Sequence, residues 1–308
     1  MTYTIIYYFH LLFSLMFCPI KEHKYVQNKE GFRQFFVYDK YNQATVSHYT
    51  FGESAIIDNS LVTTQTISGM NAWLLEIKDA IEHQPQDKKG IVIYIHGYQA
   101  DNQYFIKSSG PIIQKDIFNT ENSQYGIAIS LVWKSVFGYN EAVQNAFAKG
   151  EFFANIVDSI YRYQQTDCAN AKFSVIAHSM GNRVWEGLYT EWIKIRPNVQ
   201  LNSVLLMAAD LENNVFETSL ASLPQHANRV VVYHNTEDVT LSFANRMSPH
   251  ERLGIYGPKN SVALPDNVII QDVTHVADDD IKNATFTRHR YFYSSPSIRK
   301  HLSQYLNQ

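Results

Sequence analysis

The sequence predicts an α/β fold: a doubly wound, mostly parallel sheet with helices on both faces. Three observations carry this expectation. From Lys89 onward, apolar runs of strand length recur at regular intervals. Segments of helical period lie between most of them, the pattern of βα units covering a parallel sheet. A composition of 45% hydrophobic and 18% charged residues over 308 positions supplies a large core and excludes a disordered chain.

The elements follow in order. The stretch from Glu22 to Leu61 reads as irregular strands, with Phe35–Tyr38 and Thr45–Tyr49 as arms of a half-buried hairpin. Gly69–Glu82 reads as a short helix or edge element. The regular strands are Ile91–Ile95, Ile127–Trp133, Phe173–Ala177, Val204–Ala209, Val230–Tyr233 and Val268–Val273. Helical period marks Asn140–Tyr163, Arg183–Ile195 and Arg299–Leu306. There is no internal repeat or linker. The expected organisation is an apolar segment at 1–20, an extension with strands at 21–88, and one α/β domain at 89–308.

Several classes are set aside by composition. A net charge of −3 leaves no basic footprint for nucleic acid. The 20 Tyr and 18 Phe are scattered without a repeat, as core and groove packing would scatter them. Two cysteines, Cys18 and Cys168, are too few for a disulfide framework, and the spacings of zinc sites are absent. No metal or organic cofactor is expected. Residues 1–20 are apolar, and Ile5–Phe17 has the length of a signal-peptide core. No Lys or Arg precedes that run, and His10 interrupts it. Two readings stay open for it: an export signal or membrane anchor, and a structural extension. Localisation, cytoplasmic or exported, stays open with them, and so does the oligomeric state.

The chemistry concentrates at Phe173–Asn182, where a buried strand stops at Ser179 and a helix-compatible segment follows. Small residues, Ala177 and Gly181, flank the serine at two positions on either side. This is the spelling of a nucleophile elbow, a tight strand-to-helix turn that lifts a hydroxyl above the sheet. The same serine could simply cap the next helix, so partners must decide. His96-Gly97-Tyr98 closes the first regular strand, and a Gly there lets the backbone turn an N–H toward a reacting carbonyl. The oxyanion donors would be the N–H groups of Met180 and Tyr98. His96 itself reads as a structural imidazole, and His178 as pointing into neighbouring structure. For an acid, Asp238 follows the strand Val230–Tyr233 and is preferred over Asp210, which closes the strand before it; Glu237 is an adjacent alternative. For a base, His289 stands in the last His-bearing loop before the terminal helix, with His275 and His301 as competitors.

Several segments together resemble the α/β-hydrolases of the esterase/lipase superfamily, in a bacterial branch of uncharacterised function. They are His96-Gly97-Tyr98, Val132-Trp133-Lys134-Ser135 with Gly138-Tyr139, Ala177–Asn182, Ala208-Ala209-Asp210 and Asp238–Ser242. Arg252-Leu253-Gly254 with Gly257-Pro258, and His289–Phe292 with Ser295-Pro296, complete the set, in order over residues 89 to 306. The resemblance implies a sheet of the α/β-hydrolase type, with Ser179 as nucleophile, Asp238 as acid and His289 as base. It implies cleavage of an ester or related acyl bond in a small-molecule substrate through an acyl-enzyme. The alternative is a catalytically idle scaffold that binds a ligand or partner. A membrane-attached lipase is a third reading, motivated by residues 1–20 and by the stretch from Ser242 to Asn267. Two positions depart from the family pattern: Lys134 stands where proline is frequent, and Arg288 where glycine commonly precedes the histidine.

Overall fold

The computed structural model describes residues 33–39, 49–57, 61–98, 122–168, 170–248, 250–276, 278 and 288–308. Among the described residues no helix is long and apolar enough to cross a membrane; residues 1–20 lie outside them, as do Thr45–His48 of the expected hairpin arm.

Nine strands form one sheet: β1 (Arg33–Asp39), β2 (Tyr49–Ile57), β3 (Leu61–Ile67), β4 (Gly90–Ile95), β5 (Tyr125–Trp133), β6 (Phe173–His178), β7 (Leu201–Met207), β8 (Ala227–His234) and β9 (Val268–Asp272). Their spatial order is β3-β2-β1-β5-β4-β6-β7-β8-β9. From β1 to β9 every neighbouring pair is parallel. Only β2 and β3 run antiparallel to their neighbours. The three strands before residue 89 therefore continue the same sheet, joined where Arg33–Asp39 pairs with Ile127–Trp133.

The central strands are buried on both sides, and the period of two assigns each strand residue to a face. Ile91, Ile93 and Ile95 of β4, with Val175 and Ala177 of β6, face one core. It is roofed by helices α1 (Met70–His83), α2 (Tyr139–Asp167) and α3 (Gly181–Ile195). Val92 and Tyr94, with Ile176 and Val231, face the other core. There they meet Tyr291 and Phe292 of a short helix α6 (Tyr291–Ser294), and Ile298, Leu302 and Leu306 of α7 (Pro296–Asn307). Between β8 and β9 lie two further helices, α4 (Val239–Arg246) and α5 (Leu253–Tyr256).

Helices α2 and α3 touch backbone to backbone. A Cβ on Gly150 would stand 2.0 Å from the Val184 carbonyl oxygen, and one on Gly187 would stand 1.9 Å from that of Phe147. The two glycines thus let α2 and α3, the helix that follows Ser179, pack at close range.

The chain passes from β4 outward to β5, then crosses back over β4 to β6. In an open parallel sheet, such a reversal leaves a crevice at the carboxyl ends of the strands on either side of it. Here the two ends are Ile95, leading to His96-Gly97, and His178, leading to Ser179.

Candidate active site

Ser179 has φ 55°, one of three non-glycine residues among the described ones in the left-handed region. For an L-residue this costs roughly 1–2 kcal/mol, so the surroundings must hold it. They do so through hydrogen bonds on both sides. The Ser179 N–H donates to the Met207 carbonyl at 2.9 Å, and the Asp210 N–H donates to the Ser179 carbonyl at 3.2 Å. The buried amide of Asn182 donates to the carbonyls of Ala177, Ser179 and Met207 at 3.1, 3.0 and 3.3 Å. The elbow is thereby stitched to the end of β7.

The small flanking residues have a steric reason. A Cβ on Gly181 would lie 2.4 Å from the His96 carbonyl oxygen. On Gly97 it would lie 2.8 Å from the Ser179 Cβ itself. The His-Gly loop after β4 therefore packs directly onto the serine.

His96 is fully committed to that packing. Its Nδ1–H donates to the Gly97 carbonyl at 2.7 Å, and its Nε2 accepts from the Trp133 N–H at 3.0 Å. The Trp133 indole N–H returns a bond to the His96 carbonyl at 2.9 Å, and the two rings stack 9° from parallel. Burial lowers the His96 pKa to about 4, so the ring is neutral near pH 7. The imidazole clamps the ends of β4 and β5 together, as the structural reading of it expects.

Asp238 and His289 meet. The His289 Nδ1–H donates to Asp238 Oδ2 at 2.7 Å, with Asp238 fully buried and His289 6% exposed. The other carboxylate oxygen, Oδ1, caps α4 by accepting the Leu241 N–H at 2.8 Å. Both oxygens are thus anchored, one to backbone and one to the imidazole. His178, adjacent to Ser179 in the chain, packs against the His289 ring with centroids 4.8 Å apart. Its Nε2–H donates to the His289 carbonyl at 3.3 Å. Burial, then the neighbouring His289, pushes the His178 pKa well below its usual value, leaving a neutral ring as support. This contact brings the histidine loop to the serine elbow.

The competing residues lie in other company. Asp210 is buried and pairs with Arg252, Nε to Oδ1 at 3.1 Å. It also accepts the Tyr139 hydroxyl at 2.8 and 3.0 Å. Burial raises its pKa, against the pull of the Arg252 and Arg183 guanidinium groups. Glu237 is exposed and pairs with the Arg288 side chain. His275 is exposed in the turn after β9. His301, on α7, meets the Tyr233 hydroxyl at 3.3 Å. Met180 follows the serine at the start of α3, and Tyr98 ends the described part of the His-Gly loop.

Two residues without an assignment from sequence hold the loops in place. The Tyr291 hydroxyl accepts the Ala208 N–H at 2.7 Å and donates to the Tyr233 carbonyl at 3.1 Å, tying the loop after His289 to the ends of β7 and β8. Asn235 connects the loops that carry Asp238 and His289. Nothing in its local sequence marks it beyond a polar residue at a buried strand end.

The decisive comparison is with family models. The model for "Alpha/beta hydrolase of unknown function (DUF900)" matches residues 75–305, three quarters of the chain. The chain belongs to this α/β-hydrolase family. The match runs from within α1 to residue 305, inside α7, and takes in Ser179 and the loops that carry Asp238 and His289. Among solved structures, a "putative cell surface hydrolase" from Lactobacillus plantarum WCFS1 is similar at 14% identity, covering 70% of this chain and 91% of that one, with a TM-score of 0.41. A Trichoderma reesei cutinase in complex with a phosphonate inhibitor is similar at 12% identity over 77% of this chain and 88% of its own, with a TM-score of 0.26. No curated protein matches the sequence. Among the described residues of this α/β-hydrolase, no group of three or more His, Cys, Asp or Glu side chains is placed to hold a metal ion.

Proposed function

We propose that this α/β-hydrolase is a serine-dependent acyl hydrolase acting on carboxylic esters, with Ser179, Asp238 and His289 as its triad. The observation that carries the reading is the buried 2.7 Å bond between His289 Nδ1 and Asp238 Oδ2, packed through His178 against the strained serine elbow. An aspartate on Nδ1 fixes the tautomer that leaves Nε2 free to accept a proton, and it stabilises the imidazolium that results.

In this reading the Ser179 Oγ attacks the acyl carbon while His289 Nε2 takes its proton. The N–H groups of Met180 and Tyr98 hold the developing oxyanion. The start of α3 adds the positive end of its dipole where that negative charge forms. His289 returns the proton to the departing alcohol, and the C–O bond breaks to leave an acyl group on Ser179. A water molecule, deprotonated by His289, then attacks the acyl carbon; the bond to the Ser179 Oγ breaks, His289 returns the proton to that oxygen, and the acid leaves. The cluster of Asp210, Tyr139 and Arg252 takes no proton in this sequence; it supports the β7 end of the elbow.

The test is turnover of p-nitrophenyl esters of graded chain length. Wild type should hydrolyse at least one of them, and Ser179→Ala should lose the activity while keeping its thermal transition. Folded wild type that turns over no ester and no activated thioester would leave the reading of a non-catalytic binding scaffold.

A further inference from the structure

We infer that Asn235 is a positioning residue that sets the spacing of Asp238 and His289. The inference rests on the triad reading above. Asn235 is buried at the end of β8, where three segments converge. Its own N–H donates to the Gly254 carbonyl at 2.9 Å, and its carbonyl accepts the Asp238 N–H at 3.1 Å. The side-chain Oδ1 accepts the Glu237 N–H at 2.9 Å, closing a tight turn that delivers Asp238 to the start of α4. The side-chain Nδ2–H donates to the Arg288 carbonyl at 3.0 Å. One amide therefore grips the acid turn with its oxygen and the base loop with its nitrogen.

The grip on Arg288 falls at a sensitive point. Arg288 has φ 48°, in the left-handed region, immediately before His289. Relaxation of that backbone toward ordinary φ would rotate the Cα–Cβ direction of the next residue and carry the imidazole off Asp238. The Arg288–Glu237 ion pair spans the same two loops, but both of its side chains are more than a third exposed, so water screens it. The Asn235 amide is itself buried, and water screens its part-buried bond to Arg288 less than the exposed ion pair.

The experiment uses the full chain with Asn235→Ser and Asn235→Asp. Serine can still accept the Glu237 N–H and keep the turn, but it is too short to reach the Arg288 carbonyl. Aspartate keeps the shape and loses the donor. Three quantities are read: the thermal transition, the kcat and KM on an activated ester, and the downfield proton resonance of the imidazole Nδ1–H bonded to Asp238. In variants that keep a cooperative transition, kcat should fall by about tenfold or more with KM near its wild-type value. The downfield resonance should broaden or vanish, and the acidic limb of the pH–rate profile should move. An unchanged kcat, or a loss confined to KM, in either folded variant would overturn the assignment. If both variants fail to fold, the resonance decides in wild type through the exchange rate of its proton. Slow exchange, as a rigid pair gives, supports the tie; exchange as fast as in a free imidazole overturns it. Wild type that lacks esterase activity but shows the protected resonance would instead count against the triad reading and leave the positioning intact.

Discussion

The Asp238 carboxylate serves two masters: one oxygen accepts the His289 Nδ1–H at 2.7 Å and the other accepts the Leu241 N–H at 2.8 Å. The residue that holds the His289 imidazole is therefore also the N-cap of the helix that follows it. This dual use makes the two roles separable by substitution.

Asparagine caps helices as well as aspartate does. Asp238→Asn should keep the cap and lose no more than about 1 kcal/mol of stability. It should nonetheless reduce kcat by about 10³–10⁴, because the amide cannot hold the imidazole in its working tautomer with a negative charge. Denaturant titration and ester hydrolysis on the same preparation check both halves.

Asp210→Asn should behave in the opposite sense. It would leave the buried Arg252 without its counter-charge, which typically costs about 3–5 kcal/mol. Activity per folded molecule should fall far less than in Asp238→Asn. A stable Asp210→Asn variant that is as inactive as Asp238→Asn would reassign the acid to Asp210.

His96 gives the stability a pH dependence of definite sign. Its folded pKa, about 4, lies below the ordinary 6.5, so above pH 6.5 both folded and unfolded states hold it neutral. As pH falls from 6.5 toward 4, the unfolded state takes up a proton that the folded state refuses, and stability is lost. At pH 5 the loss from this one group is about 2 kcal/mol, and His178, also depressed, adds to it in the same direction. Urea titrations at pH 7 and pH 5 measure the difference; equal stabilities at the two values would show that these imidazoles are not buried and neutral.

Arg288 occupies a left-handed position that glycine enters freely. Arg288→Gly removes strain of about 1–2 kcal/mol but loosens the unfolded chain and breaks a half-exposed ion pair. The net change in stability should stay within about 1 kcal/mol. Arg288→Val, which is branched at Cβ, should be less stable than the glycine variant by about 1–2 kcal/mol. Two variants of equal thermal stability would argue against the positive φ.

Much of this was legible in the chain. Each of the six regular strand runs corresponds to a strand: the central parallel strands are buried and written as largely apolar runs, and the more exposed edge strand β9 still opens on Val268-Ile269-Ile270. The antiparallel strands are less legible: β2, Tyr49–Ile57, meets the expected arm Thr45–Tyr49 only at Tyr49, and the threonine-rich β3, Leu61–Ile67, carries no such run. The terminal helix begins at Pro296, not at Arg299, because Ser295 caps it and proline suits its first turn. Helix α2 runs four residues past Tyr163, where Gln164 turns inward to bond the Lys89 and Lys172 carbonyls. The departure at Arg288 reads differently in three dimensions: the backbone there keeps the conformation that favours glycine. What one-dimensional pattern could not supply was the web between loops. Asn235 and Tyr291 act on residues 53 and 83 positions away, and no local spacing encodes such pairs.

The most direct measurement of the central claim is covalent labelling with a fluorophosphonate, located by peptide mass spectrometry. One phosphonyl group per molecule, on the peptide carrying Ser179 and absent from Ser179→Ala, is the expected result. Folded wild type that takes up no label, or takes it up at another residue, would contradict the assignment of Ser179 as nucleophile.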